Sequence, residues 1–145
     1  MSTLLEEVRH EIVDIHEFFV AWFNGTIDRD QLEPRLLSRF DPDVVFIPPE
    51  GHVAGGSGLK AMFERRYGTN KDFKIQIRDV TIRRQIGTVV LANYTEWQIG
   101  ATTSHPSNNA RVTSAVIDMG SPLKWLHIHE TWLPEEVRTA GSFDF

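Results

Sequence analysis

The chain has 145 residues, of which 41% are hydrophobic and 24% charged, an ordinary globular composition that can bury one core without disulfide or metal support. Its net charge of −5 argues against nucleic acid or an anionic membrane as partner. With no cysteine, disulfides, thiolate catalysis and cysteine-bound zinc are excluded.

No basic and apolar leader opens the sequence, and no apolar run approaches the roughly 18 residues of a membrane span. A cytoplasmic location with no membrane partner is therefore expected, as is a single domain over residues 1–145 with its core in about 4–134 and a looser tail over 135–145.

Leu5, Val8, Ile12, Ile15, Phe19, Trp22 and Phe23 recur at three- and four-residue steps, which predicts a first helix over about 4–23. Ser2 or Thr3 caps it, Glu6 and Glu7 favour the positive end of its dipole, and Gly25 ends it. A second helix is expected over about 29–40, with Leu32, Leu36, Leu37 and Phe40 inward and Pro34 in its first turn. Asp41-Pro42-Asp43 reads as a turn and Val44-Val45-Phe46-Ile47 as a short strand stopped by Pro48-Pro49. His52-Val53-Ala54 returns as a second strand.

Gly55-Gly56-Ser57-Gly58 leads into a third helix with Leu59, Met62, Phe63 and Tyr67 on its buried stripe. That glycine cluster lacks the Gly-Lys-Ser/Thr ending of a phosphate loop, so it reads as a link. Beyond Asn70 the chain is β. Phe73, Ile75 and Ile77 alternate with polar residues, and a slip at Asp79 signals a bulge before Val80 and Ile82. Strands follow at about 89–98, 111–119 and 125–133, joined by short connections that imply an antiparallel meander.

The last strand carries the sequence's strongest pattern, Trp125-Leu126-His127-Ile128-His129-Glu130-Thr131-Trp132. Period-two alternation puts His127 and His129 on one face and Leu126, Ile128, Glu130 and Trp132 on the other, which implies cover on both sides. Together with Arg111-Val112-Thr113, this ending resembles the association domain of calcium/calmodulin-dependent kinase II. Phe40-Asp41-Pro42-Asp43-Val44, leading to Gly51, is similar to the first strand and hairpin of the same superfamily.

The element order α-α-β-β-α-β-β-β-β from Leu4 to Pro134 resembles the nuclear transport factor 2-like superfamily, also called the cystatin-like cone, and its SnoaL-like branch. That resemblance implies an α+β fold, with three helices in the N-terminal half packed on a strongly curved antiparallel sheet. The open end of the cone would be a pocket. The superfamily hosts isomerases, cyclases, dehydratases and oligomerisation modules, so the fold does not choose the function.

Candidate chemistry falls on a few residues. His127 and His129 read as general bases, as a metal pair lacking an evident third ligand, or as satisfied core histidines. Glu96 sits between aromatics in Tyr94-Thr95-Glu96-Trp97. In an apolar cone it would have a raised pKa and serve as acid or base; the alternative is a structural ion pair. Glu130, on the apolar face of its strand, needs a partner such as Arg111.

Trp22, Tyr94 and Trp97 are candidate pocket aromatics, with Glu130 and Arg111 as candidate ligand-binding groups. The Asp base of ketosteroid isomerase would fall near Pro48, so that mechanism does not carry over. The reading that results is a pocket for a small apolar or aromatic molecule in a homodimer. It would be a cofactor-free isomerase, cyclase or dehydratase working through Glu96, His127 or His129. The alternative is a non-catalytic oligomerisation or protein-binding module.

Overall fold

The computed structural model describes residues 1–145. Helix α1 spans Leu4–Asn24 and opens with a reciprocal cap. Thr3 Oγ1 accepts from the Glu6 amide at 3.1 Å, and the Glu6 carboxylate accepts from the Thr3 amide at 2.9 Å. It ends at Gly25, whose positive φ of 75° suits glycine and whose backbone lies against Gly68. Val8, Ile12, Ile15, Phe18 and Trp22 form its buried stripe.

The expected second helix is instead three short pieces: a 3-10 turn at Arg29–Gln31, helix α2 at Leu32–Arg35, and a 3-10 turn at Leu37–Arg39. Leu36 leaves helical geometry while its side chain is fully buried, so packing rather than continuous helical hydrogen bonding holds this segment.

Strand β1 runs Phe40–Ile47, beginning four residues before the sequence suggests. Asp41-Pro42-Asp43 is a local bend inside it. Asp41 Oδ1 accepts from the Asp43 amide at 2.8 Å, and pairing with the neighbouring strand shifts register between Phe40 and Val45. Then come β2 (Ala54–Gly55), α3 (Gly56–Arg66), β3 (Lys74–Ile86), β4 (Val89–Ile99), β5 (Asn109–Asp118), β6 (Lys124–Trp132) and a short α4 (Glu135–Ala140) that the sequence reading lacked.

The six strands form one sheet in the order β2-β1-β6-β5-β4-β3. The meander from β3 to β6 is antiparallel, as is β1 with β2, whereas β1 pairs with β6 in parallel. The architecture is α+β with a mixed sheet, the cystatin-like cone. The slip at Asp79 is real: this residue has φ 60°, and register shifts between Arg78 and Thr81. No helix is long and apolar enough to cross a membrane.

Register sets the faces. Tyr94 opposes Thr113, Glu96 opposes Arg111, and Gln98 opposes Asn109 across β4 and β5. Across β5 and β6, Thr113 opposes Glu130, Arg111 opposes Trp132, and Ala115 opposes Ile128. Opposed residues share a face, so all of these side chains point to the inner side, where α1 lies.

The tail docks on the outer side. Phe143 meets Trp97 edge-on at 5.3 Å, and the Arg78 guanidinium lies 4.2 Å from the Trp97 ring and 5.7 Å from that of Phe145. Gly141 rests on the Trp97 indole so closely that any Cβ there would clash.

Candidate functional site: a carboxylate pair at the base of an apolar cavity

A cavity of about 640 Å³ opens between the inner face of the sheet, α1 and α3. Phe19, Phe23, Phe63 and Phe73, with Met62, form an apolar belt around it. Exposed Glu50, Thr69, Thr102 and Thr103 stand at its rim, and buried Tyr94, Glu96, Arg111, Trp125 and Glu130 with His16 form its base. Burying so many ionisable groups is tolerable only if they satisfy one another.

They largely do. His16, on the buried side of α1, places Nδ1 2.6 Å from the Ile12 carbonyl oxygen and Nε2 3.0 Å from Glu96 Oε1. A carbonyl only accepts, so Nδ1 carries a proton. The Gln98 amide donates to Glu96 Oε2 at 2.5 Å.

Arg111 donates from Nη1 to Glu130 Oε1 at 3.3 Å, and from Nη2 to Gln98 Oε1 at 3.1 Å and Asn109 Oδ1 at 2.9 Å. Its guanidinium carbon lies 4.8 Å from the centre of the Trp132 ring, a cation–π contact. One buried polar atom here has no partner, Arg111 Nε, while Thr113 faces Tyr94 across the two strands.

This arrangement drives the two carboxylates apart. Burial alone would raise Glu96, but the His16 charge and hydrogen bond, with Arg111 and the Gln98 amide, outweigh it and bring Glu96 down to about 2. Burial alone would lower His16, yet the facing Glu96 carboxylate raises it overall. Burial and then the Glu96 charge push Glu130 up to about 7, against the pull of Arg111 and His16. Burial and both carboxylates hold the Tyr94 phenol well above its ordinary value, and therefore neutral. At neutral pH the base of the cavity thus holds a fixed ion pair, a cation, a neutral phenol, and one carboxyl group poised between its two protonation states.

Of the residues expected at the site, the structure gathers Tyr94, Glu96, Arg111 and Glu130 at the cavity base. His127 and His129 do not join them. They project from the outer side of β6 opposite Val116 and Ser114, and their ring centroids are 6.3 Å apart. The alternation is as expected from His127 to Trp132, but the cavity lies on the Glu130 face, and a register shift between Trp125 and His127 turns Trp125 to that face as well, against strict alternation. No three His, Cys, Asp or Glu side chains converge as metal ligands.

Trp97 is also on the outer face, under the tail. Trp22 is a packing residue. It stacks on Phe18, and its indole N–H donates at 2.7 Å to the Phe63 carbonyl in the last turn of α3. His16, Gln98 and Asn109 were not expected at the site. The signal for His16 was its place beside Ile12, Ile15 and Phe19 on the helix's apolar stripe, where an imidazole requires a partner.

No protein-family model matches the chain. It is 26% identical over 129 residues, 87% of its length, to the Arabidopsis thaliana protein named probable sucrose-phosphatase 3a, and it spans only 30% of that protein. Among solved structures it resembles an NTF2-like protein of unknown function from Pseudomonas aeruginosa. The TM-score is 0.72 at 24% identity, covering 89% of this chain and 97% of that one. It also resembles the S. rosetta CaMKII hub, with a TM-score of 0.62 at 19% identity over 86% of this chain and 95% of that one.

These likenesses show the fold: the chain folds like the nuclear transport factor 2-like, cystatin-like cones. A ketosteroid isomerase-like protein and a dioxygenase β subunit share it, so function has to be argued from the site.

Proposed function

We propose that the cavity binds a small apolar or aromatic molecule and that Glu130 moves a proton on it, in a cofactor-free isomerisation, cyclisation or dehydration. The observation that carries this reading is the pair of carboxylates, Glu96 and Glu130, held in one apolar cavity with their proton affinities forced apart to about 2 and about 7. An acid–base group works best when its pKa is near the working pH, and Glu130 meets that condition.

In its ionised form Glu130 removes a proton from carbon next to a carbonyl, and the electron pair moves onto the carbonyl oxygen. Arg111 and the neutral Tyr94 hydroxyl supply the donors that such an oxyanion requires. Protonated Glu130 then returns the proton. Glu96 stays ionised against His16; its charge holds Glu130 high and makes it a positioning residue, with His127 and His129 outside the chemistry.

The test is deuterium exchange at the activated carbon of 2-tetralone in D2O. The wild type should accelerate exchange, and Glu130→Gln should lose about 100-fold or more of that acceleration. Equal exchange by the two proteins would remove Glu130 from the role.

A second reading concerns assembly. Val112, Val116 and His127 on the outer face of β5 and β6 are half-buried, and the hub protein sharing this fold gives oligomerisation some support. Residues 1–145 would act as one domain and associate as a homodimer through this face. Sedimentation of the wild type beside Val116→Asp tests it, a monomeric variant being the expected result.

A further inference from the structure

We infer that Asn109 and Gln98 are positioning residues for the proton transfer: their amide oxygens hold the Arg111 guanidinium off Glu130 and so keep Glu130 free to exchange a proton. This inference rests on the role given to Glu130 above and names the side chains that govern it.

Strand geometry brings these groups together. Asn109 and Arg111 are two apart on β5 and share a face, as do Glu96 and Gln98 on β4. The register then sets Gln98 opposite Asn109 and Glu96 opposite Arg111. Asn109 is 0% exposed, so its amide is costly to bury unless its atoms are bonded. Its Nδ2 donates to Gln98 Oε1 at 3.3 Å and to the Pro106 carbonyl at 3.4 Å, and its Oδ1 accepts from Arg111 Nη2 at 2.9 Å. Gln98 Oε1 accepts from the same Nη2 at 3.1 Å while its Nε2 donates to Glu96. Only this orientation of the two amides works, because turning either over would set an NH2 group against the guanidinium.

The five N–H groups of the guanidinium are thereby divided. Both on Nη2 go to amide oxygens, and Nε is buried without a partner. Nη1 alone turns to Glu130, with one bond of 3.3 Å to Oε1. An arginine that faced its carboxylate squarely would donate two parallel bonds of about 2.7–2.9 Å. Glu130 has this one long bond and no other, whereas Glu96 has two, with His16 at 3.0 Å and Gln98 at 2.5 Å. The second Nη1 proton stays uncommitted, available to an oxyanion that forms beside Glu130.

The charged and titratable groups facing Glu130 are His16 from α1, Tyr94 and Glu96 from β4, and Arg111 from β5. Arg66, in the last turn of α3, and Glu50, at the rim, line the same cavity without an ion pair to any of them; β1 and β3 add only apolar side chains. Arg111 is therefore the cation whose placement decides how firmly Glu130 holds its proton. Removing an amide oxygen releases an Nη2 proton and lets the fork turn toward Glu130, which favours the ionised carboxylate.

The experiment follows the Glu130 carboxyl by carbon-13 NMR titration, with the pH profile of 2-tetralone exchange, in the full chain carrying Asn109→Leu or Gln98→Met. Each change replaces an amide with an apolar side chain of similar size. In both, the Glu130 midpoint should fall by about one pH unit or more, and the exchange profile, which rises with pH as Glu130 ionises, should move to acid with it. Asn109→Ser, whose hydroxyl still accepts from Nη2, should recover part of that change. A folded Asn109→Leu or Gln98→Met protein that loses stability but keeps the wild-type midpoint and profile would overturn the inference and leave Glu130 in its role. A wild-type midpoint at the ordinary carboxyl value would remove both.

Discussion

The imidazole Nε2 of His16 lies 3.0 Å from Glu96 Oε1, joining the first helix to a central strand 80 residues later in the chain. Both side chains are about 6% exposed, so this is an ion pair deep in the protein. It anchors α1 over the sheet and fixes the negative charge that raises Glu130. Deleting one member leaves the other buried without its partner. Glu96→Gln should cost about 3–5 kcal/mol in urea denaturation, as removal of half a buried pair typically does. A loss below about 1 kcal/mol would mean that the pair contributes nothing that water does not replace.

Stability should depend on pH with an optimum on the acid side. Glu96 falls from 4.5 to about 2 on folding, so its contribution is present above about 4.5 and disappears as pH falls toward 2. Glu130 rises from 4.5 to about 7, so the folded state holds more protons than the unfolded across that window and stability falls as pH rises through it. The shift corresponds to about 3 kcal/mol. His16, raised by Glu96, adds stability that is full below its unfolded value of 6.5 and declines as pH climbs through the folded one. Denaturation curves between about pH 4 and 8 should show this decline, and Glu130→Gln should flatten it. A wild type that gains stability from pH 5 to 7 would contradict the assignment.

The tail offers a clean separation between the two sheet faces. Gly141→Ala puts a methyl group into the Trp97 indole. It should release residues 141–145, expose Trp97, and speed amide exchange there at a cost of about 1–3 kcal/mol. Ligand affinity in the cavity should be unchanged, because the tail lies on the outer face. A large change in affinity would mean that the two faces are coupled.

Trp22→Phe removes the indole N–H that satisfies the Phe63 carbonyl. The expected loss is about 1–3 kcal/mol of stability with little change in binding to the cavity. Its indole packs against Phe18 and Tyr67 rather than lining the cavity.

Much of this was legible in the chain. The stripe from Val8 to Trp22, the alternation on β4 and β6, and the slip at Asp79 all follow from period and residue type. Those signals put Glu96 and Glu130 in question and suggested Arg111 as a partner. The relation between faces was not legible: the alternation of His127 and His129 on β6 is plain, yet only its register with β5 tells which face is inward. The parallel pairing of β1 with β6 joins strands some 80 residues apart and leaves no local trace. His16 was masked by the apolar period around it, and the 29–39 segment read as helix because propensity does not report that Leu36 must reach the core.

The most direct test is a carbon-13 NMR titration of the side-chain carboxyls, with Glu130 assigned by the signal missing from Glu130→Gln. The account predicts a Glu130 midpoint near 7. A midpoint near the ordinary carboxyl value of 4.5 would mean that Glu130 is ionised throughout the neutral range, and the proposed proton-transfer role would fall.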